Sequence, residues 1–196
     1  MPKILRGHDA GAGYPSPGGH VFQGGCGYLL SCPDVSASEQ PSPLDQALVD
    51  AAFICDVPRV RELLAQGADP NARNDEGRPP LVSALLGGSL PLLDLLLESR
   101  AEVDARDPHG WTPLHYAAQE VLPQMAARLI AGGADVNAQD EEGNTPLARA
   151  VFFARGRSEV VRLLRQHGAK DDLPNQAGET PRQLAQRLGN PAFTAN

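Results

Sequence analysis

The sequence predicts an all-α solenoid of about four and a half helix-turn-helix units, joined by short β-hairpin-like turns. Two repeating markers carry this prediction. Glycines that open a turn recur at intervals of 33, 33 and 35 residues, at Gly77, Gly110, Gly143 and Gly178. The residue pair that follows each second helix keeps the same intervals, at 67–68, 100–101, 133–134 and 168–169. Two markers with one period indicate tandem units that stack and bury a continuous core.

Each unit carries the signals of two short helices. In the third unit, Thr112 suits the N-cap, and Pro113 suits the first helical position, where its missing N–H costs nothing. The small side chains of Ala117 and Ala118 allow neighbouring helices to approach closely. A second helix follows with apolar residues at helical spacing. It ends at the glycines 132–133, because a left-handed residue is favoured there.

These motifs resemble those of the ankyrin-repeat family. The run from Gly110 to Ala118 follows the pattern G-x-T-P-L-H-x-A-A, and the runs from Gly67 to Ala72 and from Gly133 to Ala138 follow G-A-D-x-N-A. The opening returns from Gly143 to Leu147, and a shortened final unit starts at Gly178. The resemblance covers about three quarters of the chain. It implies a module that binds another protein.

Three segments are expected along the chain. Residues 1–43 are rich in glycine, proline and serine and show no helical or strand period, so we expect a disordered leader. Residues 44–190 form the predicted repeat domain, and residues 191–196 form a C-terminal tail. Two alternatives stay open for the leader. Its apolar runs 21–22 and 28–30 would dock on the first repeat, or His20, Cys26 and Cys32 would bind a metal ion. The six-residue spacing of those cysteines and the single nearby histidine make the metal site the weaker alternative.

Several positions depart from the repeat pattern. Arg100 stands where the other units have glycine, which predicts a left-handed backbone at a cost of roughly 1 kcal/mol. Pro79 and Val82 replace the threonine and histidine of the opening motif, so the second unit loses a cap. The fourth unit is two residues longer, and we place its extra residues in the loop at 154–157.

Composition and charge narrow the possible partners. The chain has 24 acidic and 17 basic residues and a formal net charge of -7, which argues against a nucleic-acid backbone and favours a protein with a basic surface. No apolar run approaches the roughly 18 residues that span a bilayer, so we expect no membrane contact. Three cysteines give no disulfide framework and suggest a reducing compartment. We therefore expect a cytoplasmic monomer.

The sequence contains no catalytic motif. It lacks a phosphate-binding loop, a nucleophile elbow and a His-Glu-x-x-His motif. We interpret Cys55 as a small residue in the turn between helices, and His115 as a structural hydrogen-bonding residue, as the resemblance implies. The acidic runs 75–76 and 140–142 lie in turns that offer neither burial nor a shared cleft. We therefore predict no enzyme activity, no catalytic residues, no cofactor and no metal site.

The resemblance implies that a partner contacts the hairpin tips and the exposed ends of the first helices. The tip residues are Asp75, Glu76, Arg78, His109, Trp111, Glu141, Glu142 and Asn144, and the helix-end residues are Phe53, Ile54, Leu86, Gln119, Glu120, Phe152 and Phe153. Large apolar residues at three of the four helix ends predict a groove with an apolar floor and an acidic rim. Two alternatives are packing of Trp111 along the neighbouring hairpin and burial of the phenylalanine pair.

The predicted function is therefore a protein-binding module or scaffold. Residues 152–157 and 172–175 resemble small stand-alone bacterial ankyrin proteins, some of which are similar to immunity proteins. An immunity protein that neutralises a cognate basic toxin is one alternative. A metal-binding regulator or enzyme that uses the N-terminal segment is another, and self-association is a third. Partner identity does not follow from the repeat frame.

Overall fold

A computed structural model describes residues 42–153, residues 159–190 and residue 193. Over these ranges the chain forms nine α-helices and no strand. They are α1 Pro43–Phe53, α2 Val57–Ala65, α3 Pro80–Leu86, α4 Leu90–Glu98, α5 Pro113–Gln119, α6 Pro123–Ala131, α7 Pro146–Phe153, α8 Glu159–Gln166 and α9 Pro181–Leu188. The predicted all-α solenoid is confirmed.

The helices form two stacked rows. The odd-numbered helices α1, α3, α5, α7 and α9 pack one on the next, and the even-numbered helices α2, α4, α6 and α8 form the second row. Each even-numbered helix also packs against the odd-numbered helix that precedes it. Four helix pairs and one closing helix therefore make up the described solenoid. None of these helices has the length and apolar composition that a bilayer crossing requires.

Proline sets the start of every odd-numbered helix. It occupies the first helical position of α1, α3, α5, α7 and α9, where no intrahelical bond needs its N–H. Ser42 caps α1, and Thr180 caps α9 in a reciprocal box with Gln183. Pro79 provides no side-chain cap to α3, as its sequence position predicts.

The buried leucines of the core recur with the period of the sequence repeat. Leu48, Leu81, Leu114 and Leu147 follow one another every 33 residues and are fully buried in the odd-numbered row. The even-numbered row contributes Leu63, Leu96, Leu129 and Leu164. Burial of each such leucine is worth about 1.5–3 kcal/mol. The side chains of Phe53, Leu86 and Phe152, at the C-terminal ends of α1, α3 and α7, lie outside this core and are exposed.

Left-handed backbone recurs at the turns. Arg100 has a φ of 63° where the other units place glycine, which confirms the predicted left-handed backbone. Cys55 and Val121 have φ values of 56° and 55° at the turn between paired helices, where the second unit has Gly88. Cys55 is thus a turn residue, half-buried against the core. The predicted insertion at 154–157 lies outside the described residues, as do His20, Cys26 and Cys32.

Candidate partner-binding groove

Each hairpin tip is built around one asparagine or aspartate. Asn74, Asp107, Asp140 and Asn175 occupy equivalent positions, and the Oδ1 atom of each accepts two backbone N–H groups of its own tip at 2.8–3.0 Å. A short side chain with this acceptor geometry closes a tight turn. The glycine three residues later supplies the positive φ that the turn needs.

The two aspartates at the tips also accept hydrogen bonds from the following odd-numbered helix. The hydroxyl of Tyr116 donates to Asp107 Oδ2 at 2.6 Å. The guanidinium of Arg149 donates to Asp140 Oδ2 through Nη2 at 2.6 Å and through Nε at 3.2 Å. Burial and the Asp107 contact raise the pKa of Tyr116 to about 12, so this hydroxyl stays a donor at neutral pH. The tips are thereby anchored to α5 and α7.

Neighbouring tips are joined by long polar side chains. Arg73, Arg106 and Gln139 recur every 33 residues, and each donates to a carbonyl oxygen of its own tip and to one in the next unit. Two backbone bonds join tips as well, from Glu141 N–H to His109 O at 3.1 Å and from Gln176 N–H to Glu142 O at 2.9 Å. The tips therefore form one connected edge.

Trp111 packs within this frame. Its ring lies 4.3 Å from the guanidinium carbon of Arg149 and 5.1 Å from the ring centre of Tyr116, and it is half-buried. These contacts are with α5 of its own unit and with α7 of the next unit, which supplies the cation, whereas the alternative for Trp111 placed it along the neighbouring hairpin.

Large apolar side chains at the helix ends are exposed. The exposed fractions are 74% for Phe53, 70% for Ile54, 51% for Leu86 and 55% for Phe152. Phe153 is half-buried, with its ring centre 5.0 Å from that of Phe152. In the third unit the equivalent positions are polar, with half-buried Gln119 and exposed Glu120. We call the surface between these helix ends and the hairpin tips the groove.

Two clefts lie in the groove. The first, the Phe53 cleft, has a volume of about 250 Å³ and combines Phe53 and Leu86 with the tip residues Glu76 and Arg78. Glu76 and Arg78 form an ion pair with each other. Four of the partner-binding residues predicted from the sequence therefore line this cleft.

The second cleft, the Phe152 cleft, lies between α7 and α9 and has a volume of about 240 Å³. Of the predicted residues, it combines Phe152 with Glu142 and Asn144. Residues that the sequence did not single out complete it: Ala148, Arg149, Asn175, Glu179, Thr180, Leu184 and Arg187. Arg187 could have been found by the repeat register, because it follows Phe152 by the same 35 residues that separate Gly143 from Gly178.

The remaining predicted residues line neither cleft. Asp75, His109 and Glu141 are exposed at the tips, and Gln119 and Glu120 lie between the two clefts along the helix row. Within 42–153 and 159–190, no group of histidine, cysteine and acidic side chains has the arrangement of a metal site.

His115 links the third and fourth units beneath the groove. Its ring is fully buried and lies between Thr112 and the carbonyl oxygen of Asn144. Burial lowers the pKa of His115 to about 4, so the ring is neutral at physiological pH. It bridges these two units next to Asn144, which lines the Phe152 cleft.

Comparison with known proteins agrees with this architecture. A family model described as ankyrin repeats (3 copies) matches residues 48–140, and one described as ankyrin repeats (many copies) matches residues 123–165. A search of curated proteins gives no match. Together the two matches cover residues 48–165, which contain helices α2 to α7, the tips at Asn74, Asp107 and Asp140, and the buried leucines of both rows. The chain belongs to the ankyrin-repeat family.

Proposed function

We propose that this chain binds a partner protein in the groove, through the exposed helix ends and the neighbouring hairpin tips. Ankyrin repeats are generally protein–protein interaction modules. The observation that carries the proposal for these residues is the exposure of Phe53, Leu86 and Phe152 at equivalent repeat positions, each at the wall of a cleft. Exposed apolar side chains grouped in this way are typical of interaction sites.

The rigid frame supports the same proposal. Tips that are hydrogen-bonded to one another and anchored to the helices lose little conformational entropy when a partner binds. Aromatic side chains held at the edge of such a frame are effective anchors for a partner. The acidic tip residues Glu141 and Glu142 favour a partner with a basic surface.

We further propose that the module acts as a cytoplasmic monomer. The closing helix α9 exposes Arg182, Gln183, Gln186 and Arg187. A polar outer face on a terminal repeat limits further stacking. Light scattering of the purified protein at several concentrations tests whether it is monomeric.

The function is tested by capture from the native cell. The wild-type protein and the double variant Phe53→Ala/Phe152→Ala are immobilised, and the retained proteins are compared by quantitative mass spectrometry. We expect at least one protein to be retained about tenfold more strongly by the wild type, because both apolar anchors are lost in the variant. Trp111 is left unchanged, since its contacts with Arg149 and Tyr116 make it part of the frame.

Leu188→Ala is the matched control. Leu188 is an exposed apolar residue on α9, 44% accessible, that lines neither cleft. Its replacement should leave capture unchanged. Equal retention of every protein by the wild type and by the folded double variant would exclude the groove as the binding surface.

A further inference from the structure

The two clefts differ in how their charged residues are paired. In the Phe53 cleft the charged lining residues are Glu76 and Arg78, which pair with each other and leave no net charge. The other lining residues are neutral, and Phe53 and Leu86 form the apolar wall. An apolar side chain is therefore the natural occupant of this cleft.

The charged residues that line the Phe152 cleft are Glu142, Arg149, Glu179 and Arg187, and they are paired unequally. Glu179 is matched by Arg187, which donates to both of its carboxylate oxygens at 2.8 and 3.0 Å. Arg149 instead serves two carboxylates, Asp140 at 2.6 Å and Glu142 at 3.1 Å. Asp140 does not line the cleft, and its side chain is 0% exposed. Because Arg149 is shared with this buried carboxylate, Glu142, which is 73% exposed, is compensated less completely than Glu179.

The contacts of Glu142 leave one of its oxygens available. Arg149 and Asn144 both donate to Oε2, at 3.1 and 2.9 Å. Oε1 has no hydrogen-bond partner among the described residues. The ring of Phe152 lines the same cleft. A carboxylate oxygen and an exposed aromatic ring that line the same cleft suit an arginine or lysine side chain, which would donate a charge-assisted hydrogen bond to the carboxylate and make a cation–π contact with the ring.

We infer that the groove selects a partner segment with two anchors, a large apolar side chain for the Phe53 cleft and an arginine or lysine for the Phe152 cleft. This inference rests on the proposed function and specifies its ligand. Phe53 and Phe152 are three units apart, which at about 8–10 Å per stacked helix corresponds to roughly 24–30 Å. An extended segment of about seven to nine residues, or a helix of about 16–20 residues, covers that distance.

The probe is a phage-displayed library of random 20-residue peptides, selected on the wild-type protein. Selected peptides are synthesised, and their affinities are measured for the wild type, for Phe53→Ala/Phe152→Ala and for Glu142→Gln. We expect the peptides to be enriched in arginine and lysine together with a large apolar residue. Glu142→Gln should weaken binding about fivefold, because glutamine keeps the size of the side chain and removes its charge. The loss should shrink as salt is raised.

Glu102→Gln is the matched control. Glu102 is exposed and lines neither cleft. This substitution makes the same change in net charge, so a loss of affinity confined to Glu142→Gln identifies a local contact rather than general attraction to an acidic protein. Replacement of the peptide's basic residue by glutamine should weaken binding to the wild type and have little further effect on the Glu142→Gln protein.

The outcomes separate the two levels of the proposal. One outcome is that the selected peptides bind the wild type, fail to bind Phe53→Ala/Phe152→Ala, and bind Glu142→Gln with unchanged affinity. This result would overturn the inference of a basic anchor at Glu142 but support the groove as the binding surface. Selection of acidic peptides would overturn it in the same way, and would point to Arg149 and Arg187 as the contacts. If no selected peptide distinguishes the wild type from the double variant, the groove itself is rejected.

Discussion

The Nε2 atom of His115 lies 3.0 Å from the carbonyl oxygen of Asn144, which belongs to the next repeat. On the other side of the ring, the backbone N–H of Thr112 donates to Nδ1 at 3.1 Å. Nδ1 is therefore an acceptor, and the ring proton is on Nε2, where it is donated to Asn144. A protonated ring would place a second N–H against the N–H of Thr112. The contact between the two repeats thus requires a neutral histidine.

Stability should fall as the pH is lowered from 6.5 towards 4. The pKa of His115 is about 4 in the folded protein and about 6.5 in the unfolded chain, so between these values the unfolded chain binds more protons. The stabilisation by neutral His115 is complete above pH 6.5. Roughly 2 kcal/mol of it should be lost by pH 5, because each pKa unit is worth about 1.4 kcal/mol. Urea unfolding followed by circular dichroism at several pH values measures this.

The variant His115→Gln isolates this histidine from the other titrating groups. Glutamine can still hydrogen-bond at this site but does not titrate. The free energy of unfolding of the variant should therefore change much less than that of the wild type between pH 6.5 and 5. Parallel slopes in the two proteins would show that the decline comes from other residues.

Replacement of Arg100 by glycine should stabilise the protein. Arg100 has a φ of 63°, and a left-handed residue with a Cβ costs about 1–2 kcal/mol. Glycine removes that cost but adds roughly 0.5–1 kcal/mol of unfolded-state entropy, which leaves a net gain of up to about 1.5 kcal/mol. Arg100→Ala removes the same charge and keeps the Cβ, so it should give no gain. The unfolding temperatures of both variants are compared with that of the wild type. An equal increase in the alanine variant would show that the stabilisation comes from removal of the arginine charge.

The register of the repeat could be predicted from sequence because its signals are local. Proline positions set the helix starts, and the 33-residue period placed Phe53, Leu86 and Phe152 at equivalent, exposed ends. The packing of Trp111 on Arg149 could not be predicted in this way. That contact joins side chains from different units, and its geometry depends on how Asp140 and Glu142 orient the guanidinium. The sequence prediction of the Phe152 cleft lacked Glu179 and Arg187, which come from the shortened last unit. The repeat register could have placed Arg187 there, but its pairing with Glu179 depends on side-chain geometry.

Loss of the Tyr116 hydroxyl should destabilise the third tip. The hydroxyl donates to the buried Asp107 Oδ2 at 2.6 Å, and Tyr116→Phe leaves that carboxylate oxygen without its donor. An unpaired buried acceptor costs about 1–3 kcal/mol. Urea unfolding should report a loss of this size.

A second substitution should restore part of that loss. Asn74 and Asn175 occupy the position of Asp107 in other units, and each accepts both tip N–H groups through Oδ1 alone. In the Tyr116→Phe background, Asp107→Asn keeps those bonds and removes the buried charge. The double variant should therefore unfold at higher urea concentration than Tyr116→Phe alone. If it is less stable instead, the carboxylate makes a contribution at this tip that does not depend on the hydroxyl.

Two equivalent glycines should respond differently to the same substitution. Gly143 and Gly178 have φ values of 78° and 76°, so alanine imposes nearly the same left-handed cost at each, about 1–2 kcal/mol. A Cβ on Gly143 would lie 3.0 Å from both the Cα of Asn175 and the backbone nitrogen of Gln176. A Cβ on Gly178 would meet no atom within 4 Å. Gly143→Ala should therefore cost about 1–3 kcal/mol more than Gly178→Ala, because backbone atoms of the next tip must move. Urea unfolding measures both variants, and equal losses would mean that neighbouring tips separate without cost.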